Sequence, residues 1–264
     1  MTGKKKILGI IVLAVFSMML AAGCGGKQAA DQTKDKKSSE QPVLVMSTNA
    51  TFPPFESVDM STGSKEIIGL DIDIANEIAK NLGFKYTVKD MAFAGIVGSI
   101  IDGRADFAIS GMSPTPERLK NMDFSDPYFY PRNAIVAAKG SNFTKLDQLT
   151  GKKIAVPFGT TYENDAKKVQ GATVVPLDGS PAVIQEINNK RVDAAIIDGA
   201  EAVEFLKKNP GLEMHLMPKT DECFAIGFPK GSKWVEPFNQ ELKKMQENGK
   251  LDQLIVKWLG EEYK

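Results

Sequence analysis

The sequence predicts an α/β protein of two lobes, and three observations support this. Short apolar runs alternate with amphipathic segments of helical length, which is typical of parallel sheets covered by helices on both faces. The alternation comes in two series, separated by a loop-rich segment. Each series contains a similar strand, RADFAISG at residues 104–111 and RVDAAIID at residues 191–198. Each series is long enough for a sheet of its own, so two lobes are expected.

Composition narrows the possible partners. The chain has 264 residues, of which 42% are hydrophobic and 25% charged, enough for two modest domains with a sizeable core. Without Lys4, Lys5 and Lys6, the remaining 30 basic residues face 33 acidic ones. This slightly acidic balance gives no reason to expect nucleic acid as a partner.

The first residues have the layout of an export signal. A basic start leads into an apolar run from Ile7 to Ala22, too short for a bilayer span, so residues 1–23 are predicted to be a cleaved signal peptide. The small residues before Cys24 resemble the lipobox of bacterial lipoproteins, in which this cysteine carries the lipid. Residues 24–41 lack large apolar side chains and are predicted to form a flexible tether. We therefore expect an extracytoplasmic protein, anchored to the cell membrane through Cys24.

The first series begins after Pro42. Its strands and helices alternate in the order VLVMST, GLDIDIANEIAKNL, KYTVKDM, FAGIVGSIIDG and ADFAIS. Ile74, Ile78 and Leu82 lie on one face of the first helix, which Gly83 ends. The segment NATFPPFE after the first strand is predicted to be a loop.

The second series follows the strand AIVAAK. Its elements are KKIAVPFG, TTYENDAKKV, TVVPL, SPAVIQEINNK, VDAAIID and AEAVEFLKKN. The late strand CFAIGF and the last helices come after this series is complete, so we expect them to return to the first lobe. The first lobe would then comprise residues 42–132 and 224–264, and the second residues 133–223. The two chain crossings would form a hinge.

The two similar strands predict the position of a ligand. Their shared Arg-x-Asp corners are expected to be structural, whereas ligands of open α/β sheets bind beyond the carboxyl ends of the strands. Ser110 and Gly111 follow one strand and Asp198 ends the other. If the lobes face each other, these residues open on one cleft.

Charged and hydroxyl groups near these strand ends match a free amino acid. Thr115 suits a helix N-cap, which puts Arg118 in the first turn, where a guanidinium and free N–H groups favour a carboxylate. Thr160 and Thr161 begin a helix in the other lobe and would offer hydroxyls and N–H groups to the same anion. Asp198 would pair with the ammonium group.

Aromatic side chains are expected to form the walls of the site. Phe52 lies in the first loop, Phe93 begins a helix and Phe158 follows a strand of the second series. Three aromatic residues at predicted strand-to-helix junctions suggest contacts with the ligand's side chain.

The segments ATFPPFE, GLDIDIANEIAKNL and GMSPTPERLKNMDFSDPYFY resemble family 3 of the bacterial extracellular solute-binding proteins, which bind polar amino acids for ABC importers. The resemblance covers about residues 42–260. It implies a two-lobed, type II periplasmic-binding-protein-like fold, in which two α/β lobes are joined by hinge strands near Tyr130–Ala134 and Asp221–Ala225. It also implies a monomer without cofactor or metal that delivers its amino acid to a membrane permease.

The same resemblance implies roles for individual residues. Arg118 would clamp the ligand carboxylate, aided by Ser113 and the main chain at Thr161. Ser110 and Gly111 would accept the ammonium group together with Asp198, and Phe52 and Phe93 would sandwich the side chain.

Three positions depart from patterns within the family. Glutamine-binding relatives have lysine where Pro157 stands and histidine where Ile197 stands, so glutamine is disfavoured. Many relatives that bind basic ligands have aspartate where Asn49 stands. Asn49 is therefore a candidate ligand contact, and a basic amino acid such as arginine or lysine is slightly favoured.

Two alternatives remain open from the sequence. A lipoprotein that binds the same ligand but signals to a receptor would have the same site. A dehydratase-type enzyme on the same fold is less favoured, because His215, the only histidine, is predicted on the polar face of a strand. No nucleophile–base set or metal-ligand cluster can be assembled either. We therefore expect a binding protein rather than an enzyme.

Overall fold

A computed structural model describes residues 41–263. The predicted signal peptide, Cys24 and all of the predicted tether except Gln41 lie outside the described residues, as does Lys264. Within the described part, no helix is both long enough and apolar enough to cross a membrane.

Residues 41–263 form thirteen strands and eight α-helices. The strands are β1 (Val43–Thr48), β2 (Thr51–Phe52), β3 (Glu56–Asp59), β4 (Glu66–Ile68), β5 (Lys85–Asp90), β6 (Phe107–Ala108), β7 (Met122–Phe124), β8 (Asn133–Ala138), β9 (Lys153–Pro157), β10 (Thr173–Leu177), β11 (Ala194–Asp198), β12 (Leu212–Leu216) and β13 (Gly227–Pro229). The helices are α1 (Leu70–Leu82), α2 (Phe93–Ile101), α3 (Pro116–Leu119), α4 (Tyr162–Lys167), α5 (Ser180–Asn188), α6 (Gly199–Lys208), α7 (Val235–Glu247) and α8 (Lys250–Leu259).

The first lobe is built on a five-stranded sheet of order β5-β1-β6-β13-β7. Strand β1 pairs in parallel with β5 and β6, whereas β13 runs antiparallel to β6 and β7. Helices α1, α7 and α8 bury apolar side chains of this lobe, among them Ile74, Ile78, Phe238 and Leu242. The late strand and the last helices therefore return to the first sheet, as the element order predicts.

The second lobe is built on a sheet of order β10-β9-β11-β8-β12. Strand β9 pairs in parallel with β10 and β11, and β8 runs antiparallel to β11 and β12. Strand β11 is buried along its whole length, since helices cover both of its faces. Both sheets belong to one compact unit.

The prediction of a loop after the first strand is wrong in part. A third, antiparallel sheet of order β2-β3-β4 lies there. Its strands have two to four residues, too short for an alternating pattern to stand out in the sequence. The chain then enters α1, whose Asp71 N–H donates to the carbonyl of Phe55. This sheet places Thr51, Phe52 and Glu56 beside the first lobe's strand ends.

The Arg-x-Asp corners of the two similar strands have matching structural roles. The Asp106 carboxylate accepts a hydrogen bond of 2.7 Å from the Val45 N–H, and the Asp193 carboxylate accepts one of 2.8 Å from the Lys153 N–H. Each aspartate ties its strand to the neighbouring parallel strand.

Two crossings connect the lobes, between β7 and β8 and between β12 and β13. They pair with each other, because the Phe224 N–H donates to the carbonyl of Phe129 over 2.8 Å. The paired crossings lie beside the expected hinge strands.

Candidate functional site

A pocket of about 440 Å³, including the part open to solvent, lies between the two lobes. This volume is at the lower end of the range for small-molecule sites. The residues that line it come from both lobes: Asn49, Thr51, Phe52, Glu56, Phe93, Ser110, Gly111, Ser113, Arg118, Pro157, Thr160, Thr161, Tyr162, Gly179 and Ser180.

Most of the side chains expected at the site meet in this pocket. The predicted residues that line it are Asn49, Phe52, Phe93, Ser110, Gly111, Ser113, Arg118, Thr160 and Thr161. These residues meet because the carboxyl ends of β1, β6 and β9 face the same cleft, where ligands of open α/β sheets bind.

Phe158 and Asp198 are placed differently from the other predicted residues. Phe158 does not line the pocket and is 54% exposed. Asp198 does not line it either, because it is buried as the N-cap of α6, where one oxygen accepts hydrogen bonds from the N–H groups of Ala200 and Glu201. Its other oxygen, Oδ2, has no partner among the described residues.

At one end of the pocket Arg118 links the two lobes. It follows the N-cap Thr115, as predicted, and its guanidinium donates to the carbonyl of Ser113 at 2.8 Å and to that of Gly159 at 2.9 Å. Its Cζ lies 5.2 Å from the centroid of the Phe93 ring, within cation–π range. Burial lowers the pKa of Arg118, but the group stays charged. The guanidinium is thus held in a fixed position in the pocket wall.

Glu222 completes this end of the site from the second crossing. Its Oε1 accepts hydrogen bonds from the hydroxyls of Ser113, at 2.7 Å, and of Thr161, at 2.6 Å. The Thr160 hydroxyl donates to the Pro157 carbonyl. These hydroxyls have therefore committed their protons, so a ligand carboxylate here would depend on Arg118 and on backbone N–H groups.

The aromatic wall lies on the first lobe. Phe52 stacks on Phe55 with ring centroids 4.7 Å apart. Gly111 has φ +49°, and a Cβ added there would lie 2.3 Å from Cε1 of Phe52. Glycine at this position therefore lets the wall approach the end of β6.

The opposite end of the pocket is acidic. Glu56 lines it and is fully buried, and its Oε1 accepts a hydrogen bond from the Ser110 hydroxyl. Asp71 lies behind it and accepts hydrogen bonds from the Gly111 N–H and the Tyr128 hydroxyl, each at 2.9 Å. Burial and the neighbouring Asp71 raise the pKa of Glu56, and burial raises that of Asp71 to about 6. The two carboxyls interact as a pair that readily shares one proton.

A second pair of acids lies in the other lobe. Glu201 on α6 is fully buried, and its Oε2 accepts a 2.8 Å hydrogen bond from the hydroxyl of Ser180, which lines the pocket. Burial raises the pKa of Asp198 to about 7, and burial with the charge of Asp198 raises that of Glu201. Among the described residues, none of these four acids forms a salt bridge.

Several lining residues escape sequence reasoning. Gly179 and Ser180 follow β10 and could have been found by the strand-end rule. Thr51 and Glu56 reach the pocket because of the third sheet, which the sequence did not predict. Tyr162 also lines the pocket, next to the predicted Thr161. Glu222 lies in a crossing with no regular pattern.

Comparison with known proteins identifies the family of this chain. The sequence model of the bacterial extracellular solute-binding proteins, family 3, matches residues 44–261. The arginine-binding extracellular protein ArtP of Bacillus subtilis is 34% identical over 260 residues, covering 96% of this chain and 98% of the relative.

Solved structures share the fold. The substrate-binding protein of an amino acid ABC transporter superposes with a TM-score of 0.79 at 38% identity, covering 82% of this chain and 98% of the other. An ancestral arginine-binding protein bound to arginine gives 0.78 at 39% identity, covering 83% and 99%. The expected two-lobed type II fold is confirmed, and the relatives are binding proteins, not enzymes. The chain belongs to family 3 of the bacterial extracellular solute-binding proteins.

Proposed function

We propose that the protein captures a free amino acid with a positively charged side chain between its two lobes and delivers it to the permease of an ABC importer. The observation that carries this proposal is the unequal charge of the pocket and its surroundings. One cation, Arg118, lines the described pocket, and Glu222 lies near it. Glu56 lines the pocket as well, and Asp71, Asp198 and Glu201 are buried behind its walls.

Charge balance favours a cationic ligand. Buried carboxylates are costly unless they are paired. Asp198 Oδ2 and Glu201 Oε1 have no hydrogen-bond partner among the described residues, whereas Glu56 and Asp71 bond to each other only when they share a proton. No three His, Cys, Asp or Glu side chains in residues 41–263 are grouped so as to hold a metal ion. A ligand that brings positive charge would relieve this imbalance.

The groups of a free amino acid can be assigned to individual residues of the pocket and its walls. The α-carboxylate would bind Arg118 and the N–H groups at Ser113 and Thr161. The α-ammonium would pair with Asp198, near Ser110 and Gly111. The α-carboxylate and α-ammonium together carry no net charge, so their binding leaves the Glu56–Asp71 pair and Glu201 without a cation. A basic side chain between Phe52 and Phe93 would supply that cation.

Relatives are consistent with this ligand class. Some relatives are arginine- or histidine-binding proteins by name, although others are named for cystine or glutamine. Asn49 stands where many basic-ligand relatives have aspartate, but Glu56 supplies a carboxylate in the same pocket.

We place the protein outside the cytoplasm, held to the cell membrane by lipid on Cys24. The family description as extracellular supports the first part, and the signal-like residues 1–23 before a cysteine support the second. Labelling with a radioactive fatty acid, compared between the wild type and Cys24→Ser, tests the anchor.

Thermal unfolding tests the ligand. The purified full chain is melted with each of the twenty amino acids, ornithine, citrulline and cystine. A specific ligand present at 100 times its Kd stabilises the folded state by about 2.7 kcal/mol. We expect the largest shift in melting temperature with a basic amino acid. A larger shift with a neutral or acidic one would contradict the proposed ligand class.

A further inference from the structure

A polar contact behind the pocket wall is not needed for binding the α-carboxylate or the α-ammonium. Ser180 begins α5 and faces the pocket, and its hydroxyl donates to Oε2 of Glu201 over 2.8 Å. Oε1 of Glu201 has no partner among the described residues. A fully buried carboxylate with an unpaired oxygen lowers the stability of a fold. The Glu201 carboxylate therefore calls for an explanation other than stability.

Helix capping does not account for Glu201. It is the third residue after the N-cap Asp198, where glutamate often turns back to cap the N-cap N–H. Here the side chain of Asp198 accepts from the Ala200 and Glu201 N–H groups, while the Glu201 side chain bonds to Ser180 instead. The start of α6 therefore does not depend on the Glu201 carboxylate.

The contact determines what Ser180 offers to a ligand. A hydroxyl has one proton to donate and two lone pairs that accept. Because the proton is directed to Glu201, Ser180 Oγ presents its lone pairs to the pocket. A cationic ligand favours the ionised form of Glu201, and that negative charge strengthens Ser180 Oγ as an acceptor for N–H groups that carry positive charge.

The first lobe presents an acid to the same part of the pocket. Glu56 lines the pocket, and the charge of Glu201 is close enough to raise its pKa. Gly179, next to Ser180, approaches the first lobe so closely that a Cβ there would lie 2.9 Å from Oγ1 of Thr51. A side chain bound between the lobes would thus have an acid on each side.

We propose that Glu201 is a positioning residue for the ligand's side chain. It holds Ser180 as an acceptor and supplies, from the second lobe, negative charge that makes the site select a cationic side chain over a neutral one of the same shape. The inference rests on the proposed function, and it assigns selectivity to a residue that does not itself line the pocket.

Arginine and citrulline test the proposal because they have nearly the same shape, but only the arginine side chain carries a positive charge. Calorimetry on the full chain gives the arginine-to-citrulline affinity ratio for the wild type and for Glu201→Gln, whose amide oxygen can still accept from Ser180. We expect the variant's ratio to fall at least about tenfold through weaker arginine binding, as when an acceptor loses its charge. The matched control is Glu204→Gln on the same helix, whose carboxylate pairs with Lys207 near the surface. The control should keep the wild-type ratio.

A purely structural role for Glu201 would weaken both ligands equally and leave the ratio unchanged, which would overturn the inference. Ser180→Ala provides a second variant should Glu201→Gln fail to fold, and it should lower the ratio in the same direction. If the wild type binds arginine selectively but the ratio is unchanged in every folded variant, the inference fails while the proposed function stands. If the wild type prefers citrulline, or if no basic amino acid stabilises it in the thermal screen, the proposed ligand class fails and the inference fails with it.

Discussion

The two ends of the pocket differ in how their polar groups are satisfied. At the Arg118 end, the guanidinium donates to two carbonyls, and the Ser113 and Thr161 hydroxyls donate to Glu222. At the acidic end, Glu56 and Glu201 each keep one oxygen that has no partner among the described residues.

This difference separates anchoring from selectivity. Preorganised groups bind what every α-amino acid carries, the carboxylate, and need little rearrangement. Buried acids without a cationic partner, by contrast, distinguish between ligands, because only a ligand that brings a positive charge gains affinity from them. Arg118 and Asp198, which would bind the groups common to all amino acids, are therefore expected to affect all ligands alike, and Glu56 and Glu201 to distinguish among them.

Removing the guanidinium should have the largest effect. We expect Arg118→Ala to weaken binding by 2–5 kcal/mol, or about 30-fold to several thousand-fold, because the ligand carboxylate loses its charged partner. Calorimetry should show this loss for every ligand, with relative affinities preserved. Arg104→Ala, which alters an exposed arginine paired with Asp102, serves as the control. Near-wild-type affinity in Arg118→Ala would contradict its assignment to the carboxylate.

Neutralising Asp198 should have the next largest effect. Asparagine is also a good N-cap, so Asp198→Asn preserves the start of α6 while removing the charge. We expect binding to weaken by about 10-fold to 150-fold, the range for loss of a charged hydrogen bond. The melting temperature of the ligand-free variant shows whether the cap survived. If the variant folds and binds normally, Asp198 does not hold the ammonium group.

The pH dependence of stability should reveal the acidic end directly. The pKa of Asp198 is about 7 and that of Asp71 about 6 in the folded protein, against 3.8 for an ordinary aspartate. The folded state therefore binds more protons than the unfolded state between about pH 4 and 7, so these groups stabilise it most at low pH and lose that contribution as the pH rises.

We expect the ligand-free protein to melt at a lower temperature at pH 8 than at pH 5.5. Affinity for a cationic ligand should change in the opposite sense, rising by up to about tenfold per pH unit for each proton released on binding. Asp198→Asn should flatten both profiles. A ligand-free melting temperature that rises steadily from pH 5.5 to pH 8 would contradict the raised pKa values.

Sequence reasoning predicts the Arg118 end better than the acidic end, and local signals explain why. Arg118 follows an N-cap threonine and a proline, and Ser110 and Gly111 end a recognisable strand. These features depend on neighbours in the chain. The alternation of strands and helices likewise predicts both sheets and the return of the last helices to the first lobe.

The acidic end depends on contacts between distant segments. Glu56 enters the pocket on short strands that pair only with each other, and Glu201 occupies a position typical of a capping residue. Glu222 joins Ser113 to Thr161 although they are 109 and 61 residues away from it. Nothing in the local sequence distinguishes these acids from solvated surface residues.

Preventing the close approach of the lobes at Gly179 should have the smallest effect on ligand affinity. Gly179 has φ +85°, and a Cβ there would lie 2.9 Å from Oγ1 of Thr51 in the facing lobe. Gly140 has a similar φ of +89°, but a Cβ there would have no neighbour within 4 Å. Alanine strains the backbone at both positions, so comparing Gly179→Ala with Gly140→Ala isolates the contact between lobes.

We expect both glycine variants to lose stability without ligand, because alanine rarely adopts a φ near +85°. Gly179→Ala should also bind its ligand about threefold to tenfold more weakly and compact less in small-angle scattering, because the added methyl group opposes closure. Equal affinities and equal compaction would mean that the lobes need not approach at Gly179 to hold the ligand. Selectivity would then depend on charge acting across a wider gap, and the acidic end would discriminate less sharply than its buried geometry implies.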